Sequence, residues 1–303
     1  MKLVSIVVPV YKCQDSLRPL HDRVKEIFGH IETAFELIFV DDGGDQRTWE
    51  TIREIVDADK RVKGLRLSRN FGQHPAIMAG IRASNGDAVL VMDCDLQDPV
   101  EMIPTFLAAL SDADIVCSQR SVSGDSYWRR FQNQVYAKLI SWVTGNKINL
   151  RLGSFTAINR NVANEYGKFT EPDHHFLYIL KWLGYKTEVI NIERSPRMHG
   201  KSSYRLVDRL KHAARGALFF SSRIIGIVSL VGLLVVFCGL VLLGLILVQS
   251  LGGSPVSGWL SVMSSIIVFS GLNIVLSAVI GLYIVKTYEK SKNRPLYVIS
   301  EEI

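Results

Sequence analysis

Two stretches without a single charged residue, Ile224–Val248 and Trp259–Val285, constrain this chain more than any other feature. At about 1.5 Å per residue each extends roughly 37 to 40 Å as a helix, enough to cross a hydrocarbon layer of about 30 Å with tilt. The alternative is a pair of long core helices, but buried helices of soluble proteins rarely reach that length. The connection Gln249–Gly258 is rich in Gly, Ser and Pro and holds no Lys or Arg. Arg205, Arg209, Lys211, Arg215 and Arg223 precede the first stretch, and Lys286, Lys290, Lys292 and Arg294 follow the second. The positive-inside rule therefore puts both flanks in the cytoplasm and the connection outside. These stretches also account for a mean hydropathy of +0.18, high for a chain that is 21% charged.

The N-terminal apolar run Leu3–Val10 is short, contains Pro9 and is followed by Lys12, Gln14 and Asp15. No signal peptide is expected, so residues 1–220 are expected to stay cytosolic. Cys13, Cys94, Cys117 and Cys238 have no metal-binding spacing, and in a reducing compartment they are expected to be unpaired packing residues. The net charge of +6 is concentrated around the membrane flanks. It points to anionic lipid as a partner rather than nucleic acid, for which no motif is present.

The first 120 residues alternate between strand and helix signals. Strands are expected over Leu3–Val10, Phe35–Val40, Val62–Leu67, Ala88–Met92 and Asp114–Ser118. Helices are expected over Ser16–Phe28, Thr48–Val56, Pro75–Ala83 and Val100–Leu110. The pattern predicts an α/β domain with a mostly parallel, doubly wound, Rossmann-like sheet, whose ligands lie at the carboxyl ends of the strands.

Acidic residues follow two of those strands. In Asp93-Cys94-Asp95-Leu96-Gln97-Asp98-Pro99, residues two apart project to one side of an extended chain. Asp93, Asp95 and Gln97 are thus candidate oxygen ligands for Mg²⁺ or Mn²⁺, which leaves positions open for diphosphate oxygens. A solvated turn leading into a helix is the alternative. Val40-Asp41-Asp42-Gly43-Gly44 follows the other strand. A carboxylate there could accept hydrogen bonds from a base N–H or a ribose hydroxyl, or it could cap a helix. The chain has no GxGxxG dinucleotide fingerprint and no GxxxxGK[ST] phosphate loop.

These strings also carry a resemblance. SIVVPVY (Ser5–Tyr11), FELIFVDDG (Phe35–Gly43), LSRNFGQ (Leu67–Gln73), GDAVLVMDCDLQDP (Gly86–Pro99) and RMHGKSSY (Arg197–Tyr204) occur in the order seen in family 2 GT-A glycosyltransferases. The chain most resembles the polyprenyl-phosphate glycosyltransferases, the group of dolichol-phosphate mannose synthase and the bactoprenol glucosyltransferases. Its tail Gly281–Ile299 is similar to the end of the two-span bactoprenol enzymes. The resemblance implies a GT-A fold in which Asp41 and Asp42 hold the donor nucleoside. Asp93, Asp95 and Gln97 would bind the divalent metal on its diphosphate, and Arg69 and Asn70 would lie beside the donor pocket. Arg197, Gly200, Lys201, Ser202 and Tyr204 match an RxxGxSxY loop that brings positive charge to the donor diphosphate and the acceptor phosphate.

Two positions depart from the family pattern. Gly44 stands where DDGS is usual, and Gly153-Ser154-Phe155-Thr156 stands where many relatives have GDFR. The absence of a carboxylate at 154 is more tolerable for a phosphate acceptor than for a sugar acceptor. A phosphate monoester has a second pKa of about 6 and is already largely dianionic at neutral pH. A sugar hydroxyl would need a general base.

Arg205–Phe220 has apolar residues at helical spacing and bases mainly on other faces, as suits a helix lying in the bilayer interface or packed on the catalytic domain. The expected organisation is a catalytic domain over 1–204, an amphipathic helix over 205–223 and a transmembrane hairpin with a cytosolic tail over 224–303. The expected protein sits in the bacterial inner membrane with both termini cytosolic. It would transfer a sugar, with inversion, from a nucleotide-sugar donor to polyprenyl phosphate. Asp95, Arg197 and Lys201 would serve the departing diphosphate. Gly232, Gly239 and Gly244 would allow close span packing in a homo-oligomer. A processive polysaccharide synthase fits less well, since no QxxRW motif is present. A catalytically silent, membrane-tethered binding protein is the alternative of a different class.

Overall fold

The computed structural model describes residues 1–120, 152–170, 175–193, 241, 258–292 and 294–303. These belong to two compact units. The first draws on Met1–Arg129, Asn149–Ser203 and Pro295–Ile303, and the second on Arg130–Ile148 and Tyr204–Arg294.

The first unit is built on a sheet of eight described strands: β1 (Leu3–Val10), β2 (Ala34–Asp41), β3 (Val62–Leu67), β4 (Ala88–Val91), β5 (Ile115–Arg120), β6 (Leu152–Asn159), β7 (Thr187–Ile192) and β8 (Ile299–Glu302). Their spatial order is β7-β5-β6-β4-β1-β2-β3-β8. β1 pairs in parallel with both β2 and β4, β2 with β3, and β5 with β7. β6 runs antiparallel to β4 and β5, and β8 antiparallel to β3.

The connecting helices are α1 (Gln14–Gly29), α2 (Gln46–Ala58), α3 (Gln73–Ala83), α4 (Ile103–Ala109), α5 (Arg160–Gly167) and α6 (Phe176–Leu183). They explain why the central strands are apolar on both sides. Val4, Ile6, Val8 and Val10 of β1 share one core with Leu17, Leu20 and Val24 of α1, Trp49 and Ile52 of α2, and Phe106 of α4. Val7 points to the opposite core, formed with α3, α5 and α6. At Gly80, α3 comes so close to the sheet that an added Cβ would lie 2.3 Å from Val7 Cγ1 and 3.1 Å from Val40 Cγ2.

One polar group is built into the sheet. Glu36, only 6% exposed, accepts hydrogen bonds from Ser5 Oγ (2.6 Å), the Asn85 amide (2.5 Å) and Lys63 Nζ (2.8 Å). Burial pushes its carboxyl up, but these partners outweigh burial and hold it below the ordinary value.

β6, α5, α6 and β7 add to the elements expected from the sequence. The tail also differs from the expected layout, because residues 299–302 form an edge strand of the first unit's sheet. Ile303 and Gly64 exchange backbone hydrogen bonds at 2.9 Å, and Ser68 N donates to Val298 O at 2.8 Å. Glu301 accepts from Trp49 Nε1 at 2.9 Å and pairs with Arg53.

The cysteine expectation is corrected. Cys13 and Cys94 form a disulfide across a sequence separation of 81, because β1 and β4 are neighbours and their carboxyl-end loops meet. Cys117 is free and buried, with its thiol pushed up to about 11 by burial, and Cys238 lies outside the described residues.

In the second unit α7 (Gly258–Ser291) covers the second charge-free stretch. The first stretch lies outside the described residues except for Val241, which is helical. Among the described residues no helix is long and apolar enough to cross a membrane. The structure supplies a helix for the second stretch, and the hairpin remains a proposal.

Two outcomes are expected of the fold. Gly80→Ala gains about 1 kcal/mol of helix propensity but forces a methyl into a buried β-branched side chain. A net loss of about 1–2 kcal/mol should appear in urea unfolding. Because the folded-state pKa of Glu36 is depressed, its stabilisation is present above the ordinary carboxyl value of 4.5 and is lost as pH falls below it. Glu36→Gln should flatten that acid limb in a series of melting curves.

Candidate active site

The chain moves outward from β1 through β2 to β3, then returns to place β4 on the other side of β1. Such a reversal opens a crevice at the carboxyl ends of the strands on either side of it, where ligands of doubly wound sheets bind. Three loops meet around this point: Tyr11–Cys13 after β1, Asp42–Asp45 after β2 and Met92–Pro99 after β4.

The two adjacent aspartates after β2 have different partners. Asp41 is fully buried. Its Oδ1 accepts the Gly44 amide at 2.7 Å, while Arg66 Nε approaches Oδ2 at 3.4 Å without making a hydrogen bond. Burial pushes the Asp41 carboxyl above its ordinary value, against the Gly44 bond and the Arg66 charge. A buried carboxylate oxygen that lacks a hydrogen-bond donor is costly, and the Arg66 charge offsets part of that cost.

Asp42 is buried as well. Its oxygens accept the amides of Phe71 (2.7 Å) and Gly72 (2.9 Å), so it fastens the Arg69-Asn70-Phe71-Gly72 loop at the head of α3. Gly43, at φ +66°, allows this approach, since a Cβ there would lie 2.4 Å from Asn70 N. Gly44 has an equally local reason, because a Cβ would lie 2.6 Å from Asp41 Oδ1. The helix cap of this segment is Asp45, which accepts from Thr48 N and Oγ1. Arg69 is exposed, lies over the Phe71 ring at 4.1 Å and donates to Asn70 O.

In the loop after β4, Asp93 is held on both oxygens. Gln73 Nε2 donates to Oδ1 at 2.8 Å, and Ser154 Oγ donates to Oδ2 at 2.7 Å. Asp95 Oδ1 accepts the Gln97 amide at 3.2 Å, and buried Asp98 accepts the Asp93 amide at 3.3 Å. Leu96 takes a left-handed φ of 59°, a conformation that non-glycine residues hold only where their surroundings impose it. Asp93, Asp95 and Gln97 are all partly exposed.

Gln73 and Ser154 are site residues that sequence reasoning did not place against Asp93. Gln73 was visible only as the last residue of the LSRNFGQ string, and Ser154 only as a departure from GDFR. Their meeting depends on β6 lying beside β4. Arg197, Gly200, Lys201, Ser202 and Tyr204 lie outside the described residues.

The donor set at this loop, two carboxylates and an amide oxygen, suits a hard divalent cation such as Mg²⁺ or Mn²⁺. Among the described residues no group of three or more His, Cys, Asp or Glu side chains gathers as a metal site. A cation held here would have Asp93 and Asp95 as its carboxylate ligands, with the remaining positions left for other oxygens.

Asp42→Ala removes the acceptor of two part-buried amides at the head of α3 and should cost about 1–3 kcal/mol in urea unfolding.

The sequence profile described as "Glycosyl transferase family 2" matches residues 5–167. The chain is 31% identical over 300 residues to the "Uncharacterized glycosyltransferase YkcC" of Bacillus subtilis (strain 168), covering 98% of this chain and 93% of that one. It is 30% identical over 302 residues to the "Bactoprenol glucosyl transferase" of Shigella phage SfV, covering 99% and 98%. Among solved structures, glucosyl-3-phosphoglycerate synthase from Mycobacterium tuberculosis superposes with a TM-score of 0.51 at 20% identity, over 73% of this chain and 80% of the other. The mannosyltransferase PcManGT from Pyrobaculum calidifontis, solved with GDP-Man and Mn²⁺, gives 0.50 at 16% identity over 70% and 62%. These two structures share the α/β sheet architecture. The profile match takes in more than half of the chain and relatives align along its whole length, so the chain belongs to glycosyl transferase family 2 and is a glycosyltransferase.

Proposed function

We propose that this glycosyltransferase moves a sugar from a nucleotide-sugar donor to polyprenyl phosphate, with inversion at the anomeric carbon. The reading further places the catalytic unit at the cytosolic face of a bacterial inner membrane, anchored by spans over 224–248 and 259–285. The whole-length similarity to bactoprenol glucosyl transferases supports the acceptor, and the charge-free stretches with basic flanks support the anchoring.

The single observation that carries the donor half is the buried Asp41 Oδ2, which has no hydrogen-bond donor at the sheet's switch point. A base or ribose donor would complete its bonding. Asp42 serves the site indirectly, by fastening the loop that carries Arg69 and Asn70. Asp93, Asp95 and Gln97 would hold a divalent cation. When bound, that cation supplies positive charge to the diphosphate as it departs. Gln73 and Ser154 keep the Asp93 carboxylate aimed. Arg197 and Lys201 are assigned to the diphosphate and the acceptor phosphate from the sequence pattern.

No carboxylate stands at 154, and Ser154 spends its hydroxyl hydrogen on Asp93. This suits a nucleophile that needs no base. The acceptor phosphate, with a second pKa of about 6, is largely dianionic at neutral pH and attacks with an oxygen that already carries charge.

Purified protein incubated with a panel of nucleotide sugars and a short-chain polyprenyl phosphate should yield lipid-linked sugar. Nucleotide binding without turnover would instead mark a silent binding protein. Asp95→Ala should lower transfer by about a hundredfold or more, within the range for losing an electrostatic stabiliser. Full transfer by that variant would defeat the metal assignment. Transfer should decline as pH falls through about 6 with protonation of the acceptor, and Ser154→Ala should keep the same pH profile.

A further inference from the structure

We propose that Cys13 and Cys94 are a thiol–disulfide modification site, reactive toward low-molecular-weight disulfides, whose oxidised form braces the donor crevice and tightens nucleotide binding. The inference rests on the donor-site reading above.

The two cysteines lie on opposite sides of the switch point. Cys13 ends the loop after β1, and Cys94 sits between Asp93 and Asp95 after β4. The bond joins Cα atoms 6.5 Å apart and ties together the loops that follow β1 and β4, the strands between which the sheet reverses. It does not fill the aspartate side of the loop. Cys13 and Cys94 pack against the core shared with α1, α2 and α4, whereas Asp93 is held by Gln73 of α3, on the other cover of the sheet. The disulfide is therefore placed as a brace behind the crevice wall rather than as a plug.

Both loops need bracing. Lys12, next to Cys13, has φ 55°, and Leu96, two residues after Cys94, has φ 59°. They are the two non-glycine residues with positive φ among the described residues. Such conformations persist where the surroundings over-determine them, and a covalent tie between the loops does so. Without it each loop has more freedom to relax, and ligand binding must then restrain it again.

The compartment decides how the pair is used. In a reducing cytosol, disulfides are transient and catalytic or redox-sensing rather than permanent staples. Both sulfurs belong to partly exposed residues, whereas the free Cys117 is buried. The step balances as an exchange. The Cys13 sulfur gives up its proton and attacks one sulfur of the small disulfide, releasing one small thiol. The Cys94 sulfur then displaces the second small thiol from the mixed disulfide. Two protein thiols are oxidised by two electrons, and one small disulfide is reduced to two thiols.

The test uses the full chain equilibrated in oxidised or reduced glutathione, with blocked thiols and the Cys13–Cys94 peptide pair mapped by mass spectrometry. Binding of Mn²⁺ with UDP, or with GDP, is followed by electron paramagnetic resonance. The oxidised protein is expected to bind about three- to tenfold more tightly. Cys13→Ser and Cys94→Ser should each bind at the reduced value in both buffers. By linkage, saturating nucleotide and Mn²⁺ should shift the glutathione ratio at half-oxidation by the same factor. Equal affinity in both states with the bond mapped, tighter binding when reduced, or no Cys13–Cys94 peptide pair in oxidised glutathione would each overturn the proposal while the donor reading stands. Absence of nucleotide binding in either state would overturn both.

Discussion

The parallel pairing of β1 with β2 on one side and β4 on the other is the constraint from which the rest follows. It places the carboxyl ends of three strands side by side, so residues far apart in sequence share one rim. Asp41 ends β2, the Asp93 loop follows β4, and the Cys13 loop follows β1. Ligands of doubly wound sheets bind where the sheet changes direction, because neighbouring crossovers diverge there and leave backbone ends uncovered.

Around that rim the polar groups divide into supporting and presenting roles. Both oxygens of Asp42, one of Asp45 and one of Asp98 accept backbone amides, which fixes the loops. Asp41 keeps one oxygen without a hydrogen-bond donor, and Asp93 is aimed by two side chains. A run such as Asp41-Asp42 therefore holds two buried carboxylates with different partners, Gly44 and Arg66 for one and the loop before α3 for the other, a distinction no spacing rule conveys.

Much of the catalytic fold was legible in the sequence, because the central strands are buried on both faces and their apolar runs end abruptly at acidic loops. Leu3–Val10 and Val62–Leu67 match their strands end to end, and the helices between strands appeared at their apolar spacing. The elements beyond Ser118 were less readable. β6 enters antiparallel, outside the alternation that marks a doubly wound sheet. β8, Ile-Ser-Glu-Glu, has no apolar pattern, since one side of an edge strand has no partner and its sheet position rests on backbone bonds to β3. The site was legible as motifs but not as contacts. Ser154 reaches Asp93 only through the β4–β6 pairing, and the Cys13–Cys94 bond joins residues whose separation of 81 carries no pairing signal.

The late arrival of β8 gives the chain an order of assembly. β3 presents an open edge from the time residues 62–67 emerge until residues 299–303 follow, after both charge-free stretches have left the ribosome. During synthesis that edge is a row of unmatched amides and carbonyls, the kind of surface that invites pairing with another chain. Its proper cover comes from the far end of the same polypeptide, so the sheet is finished only once the hydrophobic segments have been made.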